Sequence, residues 1–321
     1  MRQGFDVSKY LIRRILITIP VLFGITFIVF AMVSFAPGSA ISLMLSNENV
    51  NVENVDKLRS ELGFDLPWYE QYLRYMGKLL RGDMGRSIQY NRPVGEMIRE
   101  KIGNTVMLSL SSMFVAVTIA IPLGVVAAAK RRSAFDYIAT GVALVGVSVP
   151  GFYLSLILII VFGLKLGWLP IRGLPSYDIT FVKLVRHLTL PSITLGSMLA
   201  GVLTRLTRAS VIEAMSQDYV RTARSKGLVE YKVLFKHALR NALLPVLTTI
   251  GMQFGSLLGG AVIIETIFSL PGLGMLSMNA VKFRDIPLIQ GTVLVFSISF
   301  VLVMLLVDLL YVLVDPRIRY E

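Results

Sequence analysis

The chain has 321 residues, 55% hydrophobic and 16% charged, with mean hydropathy +0.69. Soluble domains carry about 25% charged residues, so this balance excludes an ordinary soluble enzyme, a disordered chain, a collagen and a coiled coil. The formal net charge is +12 and cysteine is absent, which leaves no disulfide framework, thiolate nucleophile or iron–sulfur site.

A membrane span needs about 20 apolar residues, with a range of roughly 17–25. Six uncharged runs qualify: Ile15–Asn47, Ile102–Ala129, Tyr137–Leu164, Leu188–Thr204, Ala242–Ile264 and Ile286–Val307. Pro37-Gly38 shortens the first helix, which reads as a retained span rather than a cleavable signal. The fourth is predicted to continue past Arg205, whose side chain can snorkel. The chain therefore reads as an all-α polytopic membrane protein with six transmembrane helices. Its organisation follows: 1–34, tail and span one; 35–101, an extracytoplasmic segment with amphipathic helices; 102–321, a five-span core with a cytoplasmic loop at 205–241.

Lysine and arginine set the predicted orientation. Segments 1–14, 130–136, 205–241 and 315–321 hold 17 of them, whereas the alternate loops 165–188 and 266–288 hold four and two. Both termini and the 205–241 loop are expected in the cytoplasm. The basic residues flank the membrane rather than forming one soluble face, so nucleic acid is not an expected partner. In the outer segment, Tyr69, Tyr72, Leu73, Met76 and Leu80 recur at helical spacing, with Pro67 as a start and Gly82 as a stop. This helix is expected to rest on membrane lipid or a neighbouring subunit.

No Walker phosphate loop, GxGxxG, HExxH or GxSxG is present. His187 and His237 are too few for a histidine-rich metal site, and neither lies well inside a span to serve a hydrolase. No metal and no cofactor is expected on this chain. Asp308 is the one carboxylate deep inside a run, expected to form an ion pair with a basic side chain of another span. One carboxylate is a thin basis for a proton-coupled carrier. Gly251, Gly255, Gly259 and Gly260 are expected to let helices approach closely.

The segment 205–245 is the most informative. DYVRTARSKG suits a short helix ended by Gly227 in the left-handed conformation, with Arg221, Arg224 and Lys226 near its carboxyl end. A second helix follows, with Leu234, Phe235, Ala238, Leu239 and Ala242 as an apolar stripe, and Pro245 marks re-entry into the membrane. His237 and Asn241 read as braces of the loop, with Asn241 bonding the backbone ahead of Pro245. On the opposite side, 265–274 carries Pro271 and Gly272 and reads as irregular backbone. It either lines an outer gate, with Phe268 and Leu273 as plugs, or packs as a re-entrant turn on a partner chain.

The run Tyr219-Val-Arg-Thr-Ala-Arg-Ser-Lys-Gly227-Leu228, with His237-Ala-Leu-Arg-Asn241 and Leu244-Pro245, resembles the EAA-type coupling loop of binding-protein-dependent ABC importer permeases, in its dipeptide, oligopeptide and nickel subfamily form. Arg221 and Thr222 occupy the Glu-Ala positions of the general motif and Ala223 its last Ala, departures typical of that subfamily. The resemblance extends along most of the chain, through LIRRILITIPVLFGITFIVF at 11–30, Gly82-Asp-Met-Gly-Arg-Ser87, Arg92-Pro-Val94, Ile121-Pro-Leu-Gly124, Trp168-Leu-Pro170, Glu265-Thr-Ile-Phe268, Pro271-Gly-Leu-Gly274, Arg284-Asp285 and Asp315-Pro-Arg-Ile-Arg319. At 36–40, APG is followed by Ser39-Ala40 in place of the usual Asp-Pro.

The resemblance implies a type I ABC importer permease fold, one peripheral span plus a five-helix core, in the plasma (inner) membrane of a prokaryote. It implies a similar but distinct second permease, two cytoplasmic ATPases that use ATP and Mg, and an extracytoplasmic substrate-binding protein. The expected cargo is a di- or oligopeptide, with a nickel chelate or glutathione as the alternative. Tyr219–Leu228 would dock on an ATPase, with Arg221, Arg224 and Lys226 supplying charge and Ala223 and Gly227 close approach.

Overall fold

The computed structural model describes residues 7–34, 66–174 and 180–314, with side chains for 16–32, 66–174 and 180–307. The turn at 36–40, the first part of the outer segment and the Asp315–Arg319 motif lie outside the described residues. The described regular structure is helical apart from one isolated bridge, Arg86 to Pro93. In chain order the helices are α1 (Val7–Ser34), α2 (Trp68–Leu80), α3 (Val94–Ala129), α4 (Ala134–Ser148), α5 (Gly151–Lys165), α6 (Phe181–Met215), α7 (Asp218–Ser225), α8 (Glu230–Ile267), α9 (Leu273–Lys282) and α10 (Ile286–Val314). Two stretches open to π-helical winding, Ile159–Lys165 at the end of α5 and Val233–Ala238 near the start of α8.

The apolar runs become long helices because only intrahelical bonds satisfy the backbone in hydrocarbon. Four of them, α3, α6, α8 and α10, are long and apolar enough to cross a membrane. The third run departs from the single span expected. It divides at Pro150-Gly151 into α4 and α5, which meet at 103°. Pro150 has no N–H to continue a helix and biases Val149 to the extended backbone it adopts. Counting that pair as one gives five spans, and the apolar part of α1 that is described, Leu16–Met32, is shorter. The described residues therefore stop short of a count of six. As expected, α6 runs on past Arg205, to Met215.

The chain packs as two compact units. The first comprises 1–103 and 272–301, the second 104–271 and 302–321. In the first unit, Val94, Met97 and Ile98 of α3 are buried with Leu273, Leu276 and Ala280 of α9 and Leu288 of α10. The amphipathic α2 packs on α1. Tyr72 sits edge-on to Phe27 at 5.4 Å, and Met76 is buried near Thr26. Its stripe thus divides, with Tyr72 and Met76 turned to α1 and Tyr69, Leu73 and Leu80 exposed. Gly82 ends the helix as expected, at φ +79°, with its N–H and that of Asp83 capping Leu79 and Lys78.

The Gly82–Ser87 and Arg92–Val94 motifs have a structural explanation. Asp285 is wholly buried and caps α10 by accepting from Leu288 N at 3.3 Å. Its other oxygen accepts from Ser87 Oγ and from Gln89 N at 3.1 Å. Ser87 Oγ in turn accepts from Tyr90 N at 3.0 Å. The outer loop is thereby tied to the start of α10.

In the second unit, α3, α6 and α8 share a core of Met113, Ala116, Ala120, Leu199, Leu203, Val246 and Leu257. Small residues set these crossings. A Cβ on Gly196 would lie 2.6 Å from Ser112 O, and one on Gly124 would lie 2.6 Å from Thr207 Cβ, both inside any tolerable contact, so the α3–α6 crossing needs glycine at two levels. Of the α8 glycines, Gly251 is closed off by Val307, whereas Gly259 meets nothing within 4 Å.

Candidate functional site

Polar α7 and the start of α8 form one corner of the second unit. Val220 and Ala223 on one side of α7 are buried with Val211 and Ala214 of α6, Val125 of α3, and Val233, Leu234, Ala238 and Ala242 of α8. This corrects the expectation for Ala223, which is 6% exposed and faces its own chain rather than a partner. A methyl there lets α7 lie close against α8. Of the α8 stripe, Phe235 instead is 45% exposed and stacks on Tyr231 at 4.6 Å.

The corner itself is a full helix stop. Gly227 takes φ +74°, its N–H reaches Arg224 O at 2.9 Å, and Leu228 N reaches Ala223 O at 3.4 Å. These are the paired bonds of a Schellman motif. Arg224 then spans the corner, donating Nε and Nη2 to Glu230 at 3.1 and 2.6 Å. That bond holds the Glu230 carboxyl below the usual carboxylate range. Arg224 is thus engaged within the loop, against the expectation that its charge faces a partner. Tyr219, Arg221, Thr222, Lys226, Gly227 and Leu228 remain exposed, and Arg221 makes a 3.6 Å pair with Asp218 one turn back. The π-helical stretch Val233–Ala238 contains His237, whose carbonyl accepts from Asn241 Nδ2 at 3.3 Å. Asn241 so bonds the backbone ahead of Pro245, which lies inside continuous helix.

A buried pair roots this corner. Asp136 is 3% exposed and accepts from Arg208 Nε at 2.5 Å and Nη2 at 2.8 Å, and from Arg132 N at 2.9 Å. The Arg208 guanidinium holds its carboxyl down, to about 2. The pair joins the 130–136 connection to α6 about two turns before that helix ends, so the two basic loops lie at one end of the unit. At the other end, Gly173 N donates to Phe268 O at 2.8 Å and Asn104 Nδ2 to Pro271 O at 2.8 Å. The chain's alternation between ends is thus visible in contacts.

The 265–274 segment is less irregular than expected. Helix α8 runs to Ile267 and α9 resumes at Leu273, leaving only Phe268–Gly272 as a break. Phe268 is 1% exposed in a core with Leu108, Leu188, Leu190 and Ile264 of the second unit. Leu273 is buried in the core of the first, Gly272 is buried and Pro271 half-buried. In this conformation both apolar side chains pack in cores of their own chain. Asp308 lies on α10, but its side-chain surroundings are outside the described residues. Sequence reasoning missed three buried carboxylates: Asp136, Asp285 and Glu265, the last accepting from Thr105 Oγ1 at 2.6 Å. Ser133 three residues before Asp136 was a readable helix-start signal, and Ser133 Oγ does accept from Asp136 N. Among the described residues no three His, Asp or Glu side chains gather as metal ligands.

Comparison with known proteins adds to this geometry. The family described as "Binding-protein-dependent transport system inner membrane component" matches residues 120–320, and "Binding-prot-dependent transport system membrane comp, N-term" matches 7–111. The chain is 41% identical over 313 residues to the glutathione transport system permease protein GsiC of Escherichia coli (strain K12), covering 98% of this chain and 99% of the relative. It is 40% identical over 336 residues to the dipeptide transport system permease protein DppB of the same strain, covering 98% and 99%. Among solved structures, it matches an inward-facing MetNI methionine ABC transporter chain with TM-score 0.57 and 18% identity, over 68% of this chain and 96% of that one. At that identity the likeness concerns the fold alone.

Proposed function

The chain belongs to the family of inner membrane components of binding-protein-dependent transport systems, as a multi-pass permease of the peptide-type ABC importers, and from that premise we propose what it carries and how it is driven. It forms half of a translocation pathway for di- or oligopeptides, beside a second homologous permease. Two cytoplasmic ATPases hydrolyse ATP with Mg, and this chain hydrolyses none itself. An extracytoplasmic binding protein delivers cargo. Glutathione, itself a small peptide, is the second reading, favoured by the likeness to GsiC. Both termini and the 205–241 loop face the cytoplasm, consistent with the shared end of the two basic loops.

The observation that carries this reading is the α7–α8 corner. Its inner side is rooted in α3, α6 and α8, while Tyr219, Arg221, Thr222, Lys226 and Leu228 are exposed on the other. A rigid element fixed to several spans transmits a push; a flexible loop does not. The corner docks on an ATPase and passes its closure to the spans. Arg224, His237 and Asn241 hold the corner's shape, and the left-handed Gly227 sets its angle. The test is the variant Arg221→Glu/Leu228→Asp, which alters only exposed side chains. The purified complex should lose its ATPase pair, or hydrolyse ATP with uptake cut at least tenfold. Unchanged assembly and uptake would refute the docking role.

A further inference from the structure

The second unit has a cleft outside the α7–α8 corner. It has a volume of about 270 Å³, walled by Gly167–Pro170 on one side and by Lys183, Arg186 and His187 of α6 on the other. Those three residues stand at i, i+3 and i+4 and so share one helix face. Lys183 and Arg186 bring two cations, and no carboxylate lines the cleft. Arg186 is held in place, since its Nη2 donates to Trp168 O at 2.8 Å. Trp168 is 60% exposed and propped by Phe162, with centroids 5.8 Å apart. His187 Nδ1 is 2.9 Å from Gly173 O. A carbonyl only accepts, so Nδ1 carries the proton of that bond and Nε2 takes no part in it.

We propose that this cleft recognises the terminal carboxylate of the transported peptide. The inference rests on the permease reading above. Lys183 and Arg186 supply charge-assisted bonds to the carboxylate, and His187 walls the same helix face. The volume is just below that of pockets for drug-sized ligands, enough for one end of a peptide. Dipeptides and glutathione, the cargoes in the names of DppB and GsiC, share a carboxylate and differ in much else. The position adds a consequence. Gly173 accepts from His187 through its carbonyl and donates through its N–H to Phe268 O. Gly173 therefore joins His187 at the cleft wall to Phe268 at the end of α8.

Trp68→Phe leaves Trp168 as the single tryptophan of the chain. The full chain carrying that change is placed in phosphatidylcholine nanodiscs, and Trp168 emission is titrated with dialanine, dialanine amide and inorganic phosphate. Dialanine should give a saturable change at least tenfold tighter than the amide or phosphate. Lys183→Gln and Arg186→Gln should each weaken dialanine about tenfold and leave the amide unchanged, with the unfolding midpoint reporting that both variants fold. Equal responses to dialanine and its amide, tighter binding of phosphate, or no response would overturn the proposal. So would a response only to phosphatidylglycerol added to the nanodiscs, which would make the cleft a lipid-headgroup site. ATP-driven uptake of dialanine and of glutathione by the reconstituted wild-type complex is measured alongside. Uptake with a silent Trp168 defeats the cleft alone, whereas absence of uptake of both dialanine and glutathione defeats the peptide-importer reading whatever the cleft binds.

Discussion

Replacing Asp136 by Asn tests how the α7–α8 corner is rooted. The carboxylate is 4% exposed and takes two bonds from Arg208 and one from Arg132 N. Removing one partner of a buried ion pair costs roughly 3–5 kcal/mol, because the other charge is left uncompensated. Arg208 is 30% exposed, so water recovers part of that charge, and the expected loss is about 2 kcal/mol. Denaturant unfolding of the detergent-purified chain measures it, together with Arg208→Gln and the double variant. The double-mutant cycle should return a coupling of about 1–2 kcal/mol, since the two side chains touch. The pH dependence has a definite sign. The folded carboxyl is depressed to about 2, so its contribution is complete above the unfolded value of roughly 3.9 and is lost as pH falls through the folded one. The stability difference between wild type and Asp136→Asn should shrink between about pH 4 and 2, since the other carboxylates titrate in both. A loss under about 0.5 kcal/mol, or a cycle coupling near zero, would show that the pair does not root the loop.

Other outcomes follow from single contacts. Gly196→Leu places a side chain where even a Cβ lies 2.6 Å from Ser112 O, so the purified chain should lose about 3 kcal/mol or fail to fold, read by unfolding or monodispersity. Gly227→Ala, at φ +74°, should cost about 1 kcal/mol through backbone strain while assembly with the ATPases persists. Asp285→Asn weakens the buried tie among Ser87, Gln89 and α10 and should cost about 2 kcal/mol, with faster proteolysis of the 83–93 loop. The absence of cysteine makes single-cysteine labelling unambiguous. Cysteines at Arg131 and Lys226 should react only from the cytoplasmic side, and one at Arg172 only from outside; the reverse pattern would overturn the orientation.

The sequence by itself was enough for solvent, periodicity and stops. Runs of uncharged residues forced helix, because hydrocarbon offers backbone groups no other partner. Gly82 and Gly227 ended helices where a left-handed residue was needed, and lysine and arginine grouped the 130–136 and 205–241 connections at the end where Asp136 meets Arg208. Which faces turn inward was decided only by the tertiary structure. Ala223 looked like an open landing place and is buried, Arg224 looked available and is bonded to Glu230, and Phe268, readable as a plug or as part of a turn, fills a core. The broken third run and the buried carboxylates were likewise invisible to composition. Asp136, Asp285 and Glu265 lie at the ends of apolar runs, where sequence shows an ordinary flanking charge. The partners that make burial affordable are Arg208, Ser87 and Thr105, each at least 72 positions away along the chain. Local pattern dictates which elements form, because backbone satisfaction is a local matter. Pairing across the fold depends on long-range packing, which no local window of sequence contains.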